Sequence, residues 1–304
     1  NRALTVTGTT QVTGTLTCNA SAVSLGTGLT AAWGLDIQSG GTFTGGSGTH
    51  TIGSIFVSSS GTRTVTLSSG ATTIDSKNTG NGYTINAASG TTWNHGSGTV
   101  TMTYAGNTLI QLSSGTLAFN TFTYNASGRT LELRSAMSCA TDLTITAGTI
   151  DTKSGSNYAL TVTKHIDVTG TLTGNASAIS TGTMTLRDNS TLTSIGTITV
   201  TGNDKANSPT GAGYNWRNLE TDGTAFAPSA GTVHFVGTGI ANGYIAESEF
   251  YNFIFDITGG GDIQWVDSTG NTMTIEGDMT IVEGQFKRNA ESDTLVVTGD
   301  VSIE

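Results

Sequence analysis

The chain has 304 residues, among them 60 Thr and 42 Gly but only 2 Pro, and charged residues make up 11%, against about 25% in an ordinary globular domain. Its net charge of −10 is unevenly spread: residues 1–200 carry eight Lys/Arg and seven Asp/Glu, net +1, and residues 201–304 carry four and fifteen, net −11. An acidic chain without a basic stripe excludes nucleic acid as the expected partner, and Gly breaks nearly every run too early for a helix or a membrane span.

The first predicted strand, Leu4-Thr5-Val6-Thr7, sets the pattern. Leu and Val point one way and both Thr the other, a period of two. The same alternation recurs at Leu143/Ile145, Leu160/Val162, Met184/Leu186, Ile198/Val200 and Met273/Ile275. Disordered Gly/Ser-rich chains lack such β-branched alternation, so this one is predicted to be ordered and all-β.

Leu4 to Ser24, LTVTGTTQVTGTLTCNASAVS, returns at Leu160 to Ser180 as LTVTKHIDVTGTLTGNASAIS, with 15 identities in 21 positions at an offset of 156. Gly41-Thr42-Phe43 with Gly48-Thr49 returns as Thr92-Trp93 with Gly98-Thr99-Val100 and as Ala225-Phe226 with Gly231-Thr232-Val233, the aromatic always five residues before the Gly-Thr. Phe119 to Tyr124 matches Phe250 to Phe255, and Asp142-Leu143-Thr144-Ile145 with Gly148 matches Asp278-Met279-Thr280-Ile281 with Gly284. Near-identical short strands at such separations predict a parallel β-helix (β-solenoid) with Gly/Asn/Ser corners, not a string of sandwiches, which would need about 100 residues of dissimilar strands each. A coil should take about 20 to 25 residues and rise about 4.8 Å, giving a rod of roughly 60 to 70 Å.

The organisation that follows is solenoid repeats over 1–91, a module over 92–200, an inserted loop or module boundary over 201–228, and a further module over 229–304. The chain begins and ends within a repeat, so it is expected to be a slice of a longer polypeptide. The Asn-Ala-Ser triplets at Asn19, Asn125 and Asn175 are expected at corners that need positive φ. Cys18 and Cys139 are separated by several expected coils, too far for a disulfide between them.

Functional motifs are sparse. His50, His95, His165 and His234 form no metal-binding cluster, so no metal site or cofactor is expected. Glu247, Glu249, Asp256, Asp262, Asp267, Glu276, Asp278 and Glu283 gather in the last third, where a glycan-cleaving β-helix would place its paired acids; a solvated acidic face accounts for them more simply. Asp204, Asp222, Asp262 and Asp267 could each ligate calcium, but no tandem calcium-binding repeat surrounds them. Thr201 to Ala227 departs most from the repeat and holds Tyr214, Trp216 and Arg217. These three are the candidate binding residues if the segment is an exposed recognition loop; as a module boundary, its aromatics would instead cap the next module's core.

The succession Gly231-Thr232-Val233, Phe250-Tyr251-Asn252-Phe253-Ile254-Phe255, Asp278-Met279-Thr280-Ile281 with Gly284, and Leu295-Val296-Val297-Thr298-Gly299 resembles the Thr/Gly-rich β-helix modules of phage fibres and bacterial surface adhesins. The likeness extends over nearly the whole chain. It implies a non-enzymatic extracellular or virion-borne rod on a virion or bacterial cell surface, and brings no catalytic residues. The partners it implies are further copies or a longer array, and a host surface glycan or protein. A Thr-ladder ice-binding protein is an alternative. Thr5/Thr7, Thr144/Thr146, Thr161/Thr163 and Thr199/Thr201 supply local Thr-x-Thr pairs, but repeat offsets of 50, 133 and 156 argue against one continuous flat face.

Overall fold

A computed structural model describes residues 2–202, 213–219, 226, 230–237, 243–246, 249–258, 262–265, 272–288 and 292–304. The described secondary structure is strand throughout, with no helix. Strand pairings within each compact unit are parallel, and the chain is a β-solenoid of short stacked strands. It divides into two units, 1–153 and 154–304.

In the first unit each coil contributes a strand to each of three stacks. The first stack runs Leu4–Val6, Val23–Leu25, His50–Ile52, Thr72–Ile74, Thr99–Met102, then the opening residues of Thr121–Leu133 and Asp142–Asp151. Register puts Leu25, Ile52, Ile74, Met102, Tyr124 and Ile145 in one inward column, each at most 1% exposed. The outward column at the next position is hydroxyl from end to end: Thr5, Ser24, Thr51, Thr73, Thr101, Thr123, Thr144. Parallel pairing makes identical residues neighbours, so a two-residue alternation in sequence becomes apolar columns inside and hydroxyl columns outside. Each fully buried aliphatic side chain contributes roughly 1.5–3 kcal/mol.

The second stack runs Thr10–Val12, Leu35–Ile37, Ile55–Val57, Tyr83–Ala87, Thr108–Leu112 and the closing residues of Thr121–Leu133. The third begins as a separate four-stranded sheet, Thr15–Thr17, Thr42–Thr44, Arg63–Thr66 and Thr91–Asn94. Coil length is less even than the sequence suggested. Leu4 pairs as early as Val23, whereas Ile55 does not meet its partner until Ile85.

The second unit repeats the plan with a heavier core. Its first stack includes Ile179, Ile198, Val233, Phe253, Met279 and Val301 in register. Trp216, Phe235, Phe250, Phe253, Phe255 and Trp265 are all fully buried. Its coils are also unequal: Ile166 pairs with Met184 after a short coil, but Leu192 reaches Phe226, and Thr197 reaches Thr232, only after long ones. These long steps contain the segment that broke the repeat.

Two of the three Asn-Ala-Ser triplets turn corners as expected: Asn19 and Asn175 have φ of 52° and 48°, and Asn189 has 62°. Asn125 does not. It lies within Thr121–Leu133 beside a register irregularity and pairs with Ala147, and the positive φ between the first and second stacks falls three residues later, at Gly128 with 67°.

Candidate functional site

The most regular surface of the molecule is the four-stranded third sheet. Leu16, Phe43, Val65 and Trp93 form its inward column, and their neighbours on both sides face out. One outward column is therefore Thr15, Thr42, Thr64, Thr92; the other is Thr17, Thr44, Thr66, Asn94. Seven of these eight positions are Thr and none is charged. The numbering of those columns shows that the coils differ in length, yet the sheet keeps its order. The variation falls in the other two connections: 26–34 and 75–82 are long links between the first and second stacks, and the links between the second and third stacks run from two residues, 13–14, to five, 58–62. Between the last outward residue of the sheet and the first inward residue of the next strand there are always five residues: 18–22, 45–49, 67–71 and 95–99.

Those turns are fixed by close backbone approach. Gly46 has φ of 69°, and a Cβ there would lie 1.8 Å from the Asn19 carbonyl oxygen. Ser47 N donates to that same oxygen at 2.6 Å, so the turn of one coil sits on the turn of the previous one. Arg63 is buried at the other border of the sheet and donates from Nη2 to the Ser89 carbonyl at 2.6 Å, joining its coil to the next.

A second surface lies on the second stack of the same unit, where Asp36, Phe56, Asn86 and Gln111 form one outward column. The Trp33 and Phe56 rings stack 5.2 Å apart, 26° from parallel. Gln111 Nε2 donates to Asn86 Oδ1 at 2.7 Å, and the Tyr83 hydroxyl donates to Gln111 Oε1 at 3.1 Å. Further along, Lys77, Gly82, Asn107, Thr108, Leu109, Thr130 and Glu132 line an open cleft of about 400 Å³. Lys77 Nζ donates to the Asn107 carbonyl at 2.6 Å and sits 5.5 Å from the centre of the Tyr104 ring. Glu132 is held by Lys153 at 3.1 Å and Arg134 at 2.5 Å. Along the second-stack column, the Trp33 and Phe56 faces beside the fixed Asn86 and Gln111 amides and the Asp36 carboxylate offer both stacking and directional hydrogen bonds to a hydroxyl-rich ligand.

Register places the candidate binding residues Tyr214, Trp216 and Arg217 in a strand. Tyr214–Asn218 is a strand in the second stack of unit 2, with Trp216 placed between Met184 and Ile245. Trp216 is wholly buried, its ring centre 5.3 Å from that of Phe226 and 5.8 Å from that of Phe250. It serves the core, because two apolar neighbours in register, Met184 and Ile245, leave its side chain no other direction. Tyr214 and Arg217 stay half-buried, with the guanidinium 4.8 Å from the phenol ring centre.

The acids of the last third are engaged singly. Asp278 Oδ1 accepts from the Asp300 backbone N at 2.9 Å, Asp262 pairs with Lys287, and Asp256 lies 3.9 Å from His234 Nε2. Glu249 is exposed. Glu247 and Asp267, with the calcium candidates Asp204 and Asp222, lie outside the described residues. Among the described residues no group of three or more His, Cys, Asp or Glu is placed to hold a metal ion, and no helix is long and apolar enough to cross a membrane.

Buried polar groups occur in the core columns. His50 is fully buried beside Phe43, and desolvation pushes its pKa down, opposed in part by the Gly45 backbone. His165 Nδ1 lies 2.6 Å from the Thr183 hydroxyl. Cys18 and Cys139 are free thiols, buried, and burial raises the pKa of both.

Comparison of the chain with family models, curated proteins and solved structures returned no match. The class is set by the fold alone: a parallel β-solenoid repeat protein. Two distinctive surfaces among the described residues are the Thr-x-Thr sheet and the aromatic–amide column of the second stack.

Proposed function

We propose that this solenoid is a non-enzymatic structural segment of a fibre, extracellular or virion-borne, displayed on a virion or bacterial cell surface and stacking with further copies or with a longer array. The observation that supports the reading most is the continuity of the buried columns, which makes each coil depend on its neighbours and favours extension along one axis. The outward columns agree with it. Thr and Ser from Thr5 to Thr144 wet the rod without charge, so neighbouring rods in a bundle would not repel one another through this face.

The aromatic–amide column of the second stack would give the rod an adhesive surface, and a host surface glycan is the partner whose chemistry it fits. The separate engagement of Asp262 and Asp278 favours a structural role over glycan cleavage.

Electron cryomicroscopy of the native particle tests the structural role. A continuous or multi-chain rod containing this chain is the expected result; a detached monomer that turns over glycans would refute it. For the adhesive surface, Trp33→Ala and Gln111→Ala should each weaken retention on a glycan array without changing the fold seen by circular dichroism.

A further inference from the structure

We propose that the four-stranded Thr-x-Thr sheet of residues 15–94 is an ice-binding face. Its outward groups make a two-dimensional lattice, four coils by two columns. Neighbours along the stack are about 4.8 Å apart, and the two columns, two residues apart along each strand, about 6.7 Å. Those spacings are close to the repeats of water oxygens on the prism face of hexagonal ice. Each Thr presents a hydroxyl that can take a lattice water's hydrogen bond and a methyl that leaves the water above it to bond only with other waters. The array is also pre-ordered. A β-branched side chain has few χ1 choices, and the tight five-residue turns hold the backbone beneath it, so little freedom is lost when ice is met.

Two further observations favour ice over a macromolecular occupant. None of the eight positions carries a charge, and a charged group would order water radially around itself and not in a lattice. No large aromatic projects from the sheet: Phe43 is fully buried, and the Trp93 indole turns inward to donate to the Ala118 carbonyl at 2.8 Å. A glycan-stacking surface would have the opposite arrangement.

Among the other described residues of the first stack and of unit 2, the pattern is incomplete. The first stack has a continuous hydroxyl column, but its second outward position varies through Ala3, Ala22, Thr49, Ala71 and Thr99. In unit 2, Thr171/Thr173 and Thr191/Thr193 start the same pattern over two coils, and the next partner of Leu192 is Phe226. This property is separate from the fibre role, and either can fail alone.

The test uses the purified full chain in slowly grown ice. The folded wild type is expected to enter the ice and to facet single crystals. Thr64→Tyr and Thr44→Lys, which put a bulky or charged group into the lattice, should lose both effects, whereas Thr123→Tyr on the first stack should keep them. Circular dichroism and melting confirm that each variant folds, and if Thr64→Tyr does not, Thr44→Lys carries the comparison. Exclusion of the folded wild type from ice overturns the proposal, as does equal activity in wild type and both sheet variants, or equal loss in Thr123→Tyr. Concentration-dependent dimerisation by light scattering that Thr44→Lys abolishes would show that a second copy covers the sheet, and would also overturn it.

Discussion

The third stack takes two forms in the two units. In residues 15–94 it keeps Thr-x-Thr through three coils and Thr-x-Asn in the fourth, over an inward column of Leu16, Phe43, Val65 and Trp93. In the second unit the pattern lasts two coils, and the column continues through aromatic residues, with Phe226 bridging Leu192 and the Phe250 ring centre 6.0 Å from that of Phe226. The difference lies in the turn after the sheet, because extra residues enter between the first and second stacks in both units, at 26–34 and 75–82 in unit 1 and between Val200 and Tyr214 in unit 2. In unit 1 that turn keeps a constant length. In unit 2 Ile198 follows Leu192 after only five intervening residues, against six between Leu16 and Val23, and the long departure comes immediately afterwards. A solenoid thus tolerates large changes in coil length while one face stays periodic, provided that the turn beside that face is constant.

Substitutions can break each side of this comparison. The largest effect is expected from Trp216→Ala, which empties the aromatic cluster of unit 2 and should cost about 3–5 kcal/mol; chemical denaturation would read the loss, and hydrogen exchange should show it concentrated in residues 154–304. Gly46→Ala attacks the constant turn of unit 1. At a φ of 69° with the Asn19 carbonyl 1.8 Å from the new Cβ, the backbone must shift, with a loss of about 1–3 kcal/mol and faster exchange of the amides at 45–49. By contrast, Thr101→Ala on the exposed first stack should change stability by no more than about 0.5 kcal/mol.

Acid should weaken the buried histidine sites. Burial lowers the folded-state pKa of His50, so the fold favours the neutral ring. The stability this contributes is complete above the unfolded value of about 6.5 and is lost as pH falls below it toward the folded value. His234 is shifted in the same direction, with Asp256 opposing the shift. Melting temperature should therefore fall as pH drops below about 6.5, and His50→Leu should flatten that fall if the cavity accepts it; an unchanged pH profile in a folded His50→Leu would exclude His50 as its source.

Much of this fold was legible in the chain because parallel stacking converts short-range alternation directly into columns. Leu4-Thr5-Val6 and its copies state which residues go in and which go out. The Phe43/Gly48 and Trp93/Gly98 spacing already recorded the constant turn, although its consequence depended on knowing which connection absorbs the variable residues. Offsets between repeats add all three connections of a coil together, so they made the sheet look irregular although the turn beside it is constant and only the other two connections vary. The same limit explains Trp216: an aromatic beside Asn and Arg in a segment that breaks a repeat looks exposed until register places it between Met184 and Ile245. Asn125 shares its triplet with Asn19 and Asn175, but the positive φ beside it is taken by Gly128, where a glycine bears it without strain. The open cleft beside the aromatic–amide column draws residues from positions 77 to 132, which only the coil lengths bring together.

The periodic face depends on the third stack staying in register across four coils. Spin labels at Thr17→Cys and Asn94→Cys, in a background where Cys18 and Cys139 are replaced by Ser, test this directly, since the two positions are remote in sequence and three coil rises apart in space. A narrow distance distribution consistent with a backbone separation of about 14 Å is the predicted result. A broad distribution, or one centred well beyond about 30 Å, would contradict the solenoid register and with it the periodic face.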